Sequence, residues 1–240
     1  MRTDYFGASK IGITNRGEVI LRKLSEEKLA AERKRLEQMR DYERKYASYS
    51  AICGIDEAGR GPFAGPVVAG AVILPPDCEI LYLNDSKKLS EKRREELFLE
   101  IQKKAVAWSV GVMEPQDIDR MNILQATYEA MRRAIAGLET EPDLLLNDAV
   151  TIPGLEVFQV NIIKGDAKSV SIAAASIVAK VTRDHLMKEY DSKYPEYGFA
   201  KHKGYGTGEH IAALLKYGPC PIHRKTFITK YTKREEGDQD

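Results

Sequence analysis

The sequence predicts a mixed α/β domain: a five-stranded sheet flanked by helices. Three observations predict it. Five short runs, at 52–56, 66–74, 105–112, 144–146 and 157–163, are rich in Val, Leu, Ile and Ala and have the length of buried strands. Between them, Ile118, Met121, Leu124, Tyr128, Met131, Ile135 and Leu138 recur three or four residues apart, the stripe of an amphipathic helix. Finally, 168–194 carries Ser171, Ala173, Ala174, Ala175, Ser176 and Ala179, side chains small enough to let a helix lie close on a sheet. Strands and helices mixed in this order make layers of helix on a central sheet.

Composition bounds the molecule. The 240 residues are 43% hydrophobic and 30% charged, enough for a sizeable core and one main domain. The net charge of +1 announces no polyanion partner, so any such site must come from local clustering. The three cysteines, Cys53, Cys78 and Cys220, form neither a zinc pattern nor a disulfide framework. No apolar run reaches membrane-spanning length, and the first residues lack the apolar core of a signal peptide. A cytoplasmic protein with no membrane partner is expected.

In chain order, residues 1–22 alternate weakly and fit either a strand-like arm or an unstructured one. Residues 24–48 are dense in Glu, Lys and Arg, with Leu24, Leu29, Leu36 and Met39 at helical spacing. They predict one charged helix, Ser25 near its N-cap and Glu26 and Glu27 in its first turn. That helix is either a solvated structural element or an arm touching a nucleic-acid backbone. The domains expected are an N-terminal extension at 1–50, a core domain at 51–228 and a charged tail at 229–240. The first two strands, 52–56 and 66–74, are joined by a Gly-Pro-rich connection. Pro75-Pro76 stops the second, Ser90 opens a helix at 90–104, and 105–112 is the third strand. The stripe above predicts a helix at 117–138, with Gly137 near its end. Strands at 144–146 and 157–163 precede the long helix at 168–194. A Gly- and aromatic-rich loop at 195–206, a short helix at 209–217 and a fraying tail from Lys230 follow.

The chemistry gathers where strands end. Asp56 and Glu57 close the first strand, Asp148 closes the fourth, and Asp166 follows the fifth. Separately, each has an ordinary reading: a solvated pair, a turn residue, a helix N-cap. If the strands are neighbours, the carboxylates converge and repel unless a cation neutralises them. Oxygen ligands without His or Cys select hard cations, Mg²⁺ or Mn²⁺. Two such ions about 4 Å apart serve phosphodiester hydrolysis. After the first pair comes Gly59-Arg60-Gly61, whose glycines let backbone N–H groups approach a ligand. Asp85-Ser86-Lys87-Lys88, Lys164, Lys201 to Thr207 with Tyr205, and His223-Arg224-Lys225 supply cations, a hydroxyl and an aromatic face. Together they suit a nucleic-acid backbone.

These segments resemble a known family, bacterial ribonuclease HII. The resemblance rests on Gly54-Ile55-Asp56-Glu57-Ala58-Gly59-Arg60-Gly61-Pro62, Asp85-Ser86-Lys87-Lys88-Leu89 and Asn122-Ile123-Leu124-Gln125-Ala126-Thr127. It continues in Ile163-Lys164-Gly165-Asp166-Ala167-Lys168-Ser169, in 173–184, and in Tyr197-Gly198-Phe199 through Gly206-Thr207. The resemblance implies an RNase H-like fold and a metal-dependent endonuclease acting in DNA replication and repair. Its implied substrates are RNA–DNA hybrids and DNA duplexes containing ribonucleotides. It implies incision 5′ to a single embedded ribonucleotide, leaving 3′-hydroxyl and 5′-phosphate ends. Carried over by position, the metal ligands and catalytic acids are Asp56, Glu57, Asp148 and Asp166, holding two Mg²⁺ or Mn²⁺ ions. Gly59, Arg60 and Gly61 read the ribose 2′-hydroxyl, the group that tells RNA from DNA. Tyr205 packs against the deoxyribose beyond the junction. Independently of the resemblance, the basic segments themselves suggest Ser86, Lys87 and Lys164 as phosphate contacts. A monomer is expected. Asn147 departs from the family, which usually has an apolar residue there, as does Thr226-Phe227-Ile228-Thr229, which lacks the usual Ala-Pro after the Phe.

Two alternatives stand beside this reading. Ribonuclease HIII shares the acids but handles isolated ribonucleotides poorly, and Arg60 between its glycines disfavours it. A non-catalytic binding module would gain nothing from four acids facing a polyanion. A nucleotide-binding loop is disfavoured, since neither glycine-rich phosphate pattern is present.

Overall fold

A computed structural model describes residues 26–232. The predicted N-terminal arm, Ser25 and residues 233–240 lie outside the described residues. Among the described residues one sheet has the order β3-β2-β1-β4-β5. Its strands are β1 Ile52–Ala58, β2 Val67–Ile73, β3 Ala107–Met113, β4 Leu144–Asp148 and β5 Phe158–Ile162. β2 runs antiparallel to both β1 and β3, while β1–β4 and β4–β5 are parallel. The five predicted strands are therefore the five observed, within a residue or two at each end. β2 is buried along its whole length, because helices cover both faces of the sheet.

The helices are α1 Glu26–Met39, α2 Asp41–Lys45, α3 Glu91–Lys104, α4 Pro115–Met121, α5 Ile123–Ala136, α6 Val170–Lys193, α7 Phe199–His202, α8 Gly208–Tyr217 and α9 Lys225–Thr232. The alternation of strand side chains divides the core. Cys53, Ile55, Ala69, Ala71 and Leu145 pack on the α5 side. Val72 faces Ala174, Ile177 and Val178 of α6, and Leu144, Leu146 and Ile162 pack around Ile172. α6 lies so close that a Cβ on Gly54 would fall 2.1 Å from the Ser171 carbonyl carbon, and one on Gly70 would fall 2.4 Å from the Ala175 oxygen. The small face of 168–194 and these two glycines are the two halves of one contact.

Four local expectations differ. The charged helix at 24–48 is two helices, broken at Arg40 (φ −95°, ψ 5°). Leu36 and Met39 belong to the cluster with Ile80 and Leu83, whereas Tyr42, Tyr46 and Tyr49 pack against the cluster of Leu144, Leu146, Ile162 and Ile172. A straight rod does not reach both. The helix at 117–138 is also two, α4 and α5. They are separated by Asn122 at φ 71°, whose side chain accepts from the N–H groups of Leu124 and Gln125. The 195–206 loop contains a 3₁₀ turn, Pro195–Tyr197, and α7. Lys230 to Thr232, expected to fray, are the last turn of α9, whose Ile228 is buried; the rest of the expected tail lies outside the described residues.

Candidate active site

Register brings the acids together. Ile55 pairs with Asn147 across β1 and β4, so the next residues, Asp56 and Asp148, leave the sheet side by side on the α6 face. Asn147 points to the other face, where its Nδ2 donates to Gln159 Oε1 at 2.9 Å. The parallel pairing of Asp148 with Ile162 then sets the turn after β5 beside β4. In that turn Lys164 adopts a left-handed conformation (φ 57°), and the Gly165 N–H donates to Asp148 Oδ1 at 2.7 Å. Asp166 follows in a 3₁₀ turn, and Ser169, not Asp166, caps α6.

Carboxylate oxygens of Asp56, Asp148 and Asp166 all lie within 4.8 Å of one another. Burial pushes the Asp56 carboxyl well above its ordinary range; Glu57 and Asp148 add repulsion, and a bond from Ser176 opposes it. Asp166 is raised by burial, then by Asp85 and Asp148. Glu57 stands beside the three, its Oε1 3.3 Å from Arg60 Nη1. Burial raises it, against Arg60 and Lys87. A compact, oxygen-only set whose charge is this costly to leave bare fits a hard divalent cation.

Lys87 faces this cluster. Burial works against its charge, but Asp56, Asp85, Asp166 and Asp148 outweigh that and raise its pKa. Asp85 is a fifth carboxylate that the sequence reading treated only as part of a basic segment; its Oδ1 accepts from the Lys87 N–H at 2.9 Å. Ser86 is 3% exposed, its hydroxyl 2.9 Å from that of Ser176. Lys164 is exposed on the turn before Asp166.

A cleft of about 370 Å³ joins Asp56 and Glu57 to Gly59, Arg60, Lys87 and Tyr205. Tyr205 is 48% exposed, and a Cβ on Gly61 would lie 3.9 Å from its ring. Two buried arginines build this wall. Arg224 donates to the carbonyls of Gly59 (2.6 Å), Gly65 (2.9 Å) and Arg60 (3.0 Å). Arg183 donates to those of Pro66, Ala64 and Lys203. At Gly59 (φ 96°) a Cβ would meet Arg183 Nε at 2.1 Å, so only glycine passes there.

By sequence His223 and Arg224 belong with the surface cations. They are 3% and 0% exposed and cannot face a polyanion; their polar atoms are spent on the fold. The signal available was local: both follow Pro219-Cys220-Pro221 and precede a helix with a buried face.

Comparison with known proteins agrees with this geometry. The family model for ribonuclease HII matches residues 53–230. Over 206 residues the chain is 63% identical to the ribonuclease HII of Lachnoclostridium phytofermentans, covering 86% of this chain and 81% of that one. The crystal structure of the ribonuclease H2 from Pyrococcus horikoshii superposes with a TM-score of 0.65 at 30% identity, covering 77% of this chain and 98% of that one. The RNase HII of Archaeoglobus fulgidus, solved as a complex with PCNA, superposes with a TM-score of 0.63 at 28% identity, covering 78% of this chain and 100% of that one.

Proposed function

Because this chain belongs to the ribonuclease HII family, a divalent-metal-dependent endoribonuclease family acting on RNA–DNA hybrids, we propose that it also incises duplex DNA 5′ to a single embedded ribonucleotide, leaving 3′-hydroxyl and 5′-phosphate ends. One observation carries the proposal. The Gly59–Gly61 loop, with the Gly59 and Arg60 carbonyls held from behind by Arg224, opens onto the same cleft as Asp56, Glu57 and Tyr205. A site that needs only one ribonucleotide must sense its 2′-hydroxyl within reach of the scissile phosphate.

Asp56, Asp148 and Asp166, with Glu57 beside them, would hold the metal, two Mg²⁺ or Mn²⁺ ions in our reading, and the ions supply charge neutralisation at the phosphate. The chain supplies the rest. Backbone groups of Gly59, Arg60 and Gly61 meet the 2′-hydroxyl, while Lys87 presents its ammonium to a phosphate oxygen. Tyr205 offers its exposed ring to the deoxyribose beyond the junction. Ser86 acts through Lys87, since its hydroxyl is engaged with Ser176, and Lys164 reaches phosphate from outside the cleft. We read the enzyme as a monomer acting in replication and repair.

The test is cleavage of a labelled DNA duplex carrying one ribonucleotide, with Mg²⁺, Mn²⁺ or a chelator. A single metal-dependent cut 5′ to the ribonucleotide is expected. Cutting confined to longer RNA tracts would overturn the reading of the Gly59–Gly61 loop while leaving hybrid cleavage intact.

A further inference from the structure

The wall that carries Tyr205 and the wall that carries the glycine loop meet at one dipeptide, His223-Arg224. Arg224 reaches the loop through its three carbonyl bonds. His223 reaches Tyr205 through His210. His210 Nδ1 lies 2.9 Å from the Tyr205 carbonyl, which only accepts, so Nδ1 carries the proton. His210 Nε2 is then a bare acceptor, and His223 Nε2, 3.0 Å away, must donate to it. That leaves His223 Nδ1 as acceptor for the Cys220 N–H at 3.0 Å. His202, stacked on His210 with ring centroids 4.6 Å apart, accepts from the Gly204 N–H through Nδ1 and donates to the Tyr197 carbonyl through Nε2. Every ring nitrogen of the three imidazoles has a partner, and the partners allow one tautomer of each.

The relay bears on the cleft because it meets the turn that carries Tyr205 at the Tyr205 carbonyl itself, while Arg183 holds the same turn at the Lys203 carbonyl. Tyr205 itself is exposed, and beyond His210 its carbonyl is met only by the Thr207 N–H among the described residues. The same turn leans on the glycine loop: Phe63 N–H donates to the Gly204 carbonyl at 2.8 Å. A Cβ on Gly204 would sit 2.3 Å from the Ala64 oxygen. The aromatic wall and the loop thus have a set separation, with His223-Arg224 bonded to both.

We propose that His210, through the Tyr205 carbonyl, and Arg224, through the loop carbonyls, are positioning residues that set the gap between Tyr205 and the Gly59–Gly61 loop, with His223 standing behind His210. This inference rests on the reading of that gap as the place where the ribonucleotide and its neighbour are gripped. None of the three side chains touches substrate; they act on the backbone of residues that do.

The relay allows a test that separates positioning from packing. In His210→Asn the amide nitrogen falls where Nδ1 was and still donates to Tyr205, but the partner of His223 is lost. In His210→Gln the amide reaches His223 and the bond to Tyr205 is lost. His210→Asn leaves the buried His223 Nε2–H without a partner, whereas in His210→Gln the Tyr205 carbonyl keeps the Thr207 N–H, so the Asn variant is expected to melt no higher than the Gln variant. kcat and KM are measured on a DNA duplex with one ribonucleotide. We expect His210→Asn to keep kcat/KM within about threefold of the parent and His210→Gln to lose about tenfold or more, the range seen when a supporting partner is removed. Arg224→Lys, which keeps the charge and loses the fork, should lose about tenfold as well. If Arg224→Lys does not fold, the His210 pair decides alone. Equal kcat/KM in the Asn and Gln variants overturns the inference. A parent enzyme that leaves the single-ribonucleotide duplex whole overturns the reading of the loop instead, and the inference falls with it.

Discussion

At the scale of single residues, burial sets the chemistry. Asp166 is 7% exposed and shares its corner with Asp56 and Asp148. Asp166→Asn keeps its shape and removes one charge. We expect the fold to persist by circular dichroism and kcat to drop on the order of 10²-fold, the usual cost of removing one preorganised electrostatic group; near-full activity would take Asp166 out of the site. His223 gives a pH prediction. Burial, and then repulsion from His210 and His202, bring its pKa down to about 4 from 6.5. Between those values the unfolded chain binds a proton that the folded one refuses, so stability is lost as pH falls through this window. The stability lost by the bottom of the window is on the order of 3 kcal/mol. Asp56, Glu57 and Asp166, raised in the fold, slope the other way. The measurement is therefore the urea midpoint of the parent minus that of His223→Asn, from pH 7 to pH 4. The difference should shrink as pH falls.

At the scale of elements, the contact of α6 with β1 and β2 sets the depth of the site. Gly54→Ala puts a methyl 2.1 Å from the Ser171 carbonyl carbon, backbone against backbone, with no flexible side chain to give way. We expect a loss of about 3 kcal/mol or more in denaturant unfolding. α2 holds the start of α6: Glu43 Oε1 accepts from the Ser169 hydroxyl at 2.6 Å and from the Ser171 N–H at 3.0 Å. A carboxylate at a helix N-terminus meets both the free N–H groups and the positive end of the dipole. Part of the charged N-terminal stretch thus caps the helix that floors the active site, a role that helical periodicity alone does not disclose.

At the scale of the whole molecule, the site is stored repulsion. The three clustered acids favour a bound cation and disfavour the bare fold. Mg²⁺ should raise the melting temperature of the parent protein, by mass action on the folded state alone. Asp56→Asn should melt higher than the parent in chelator and gain less from Mg²⁺. Equal gains in the two proteins would place the cation elsewhere. Among the described residues no helix is long and apolar enough to cross a membrane, and the apolar surface goes instead into the two faces of the sheet.

The sequence by itself determined the strand set, the small-faced helix and the acids at the strand ends. Each of these is written in a local pattern: an alternation or run of apolar residues, a row of small side chains, a carboxylate at or near the end of an apolar run. Tertiary structure decided what local pattern cannot carry. That Asp148 and not Asn147 joins Asp56 follows from a one-residue register between β1 and β4. That Asp85 joins the acids, and that Arg183, His210, His223 and Arg224 turn inward, follows from segments far apart in the chain meeting behind the cleft. A charged residue reads as solvated until its partners are known, and here the partners are carbonyl and imidazole groups up to 165 positions away.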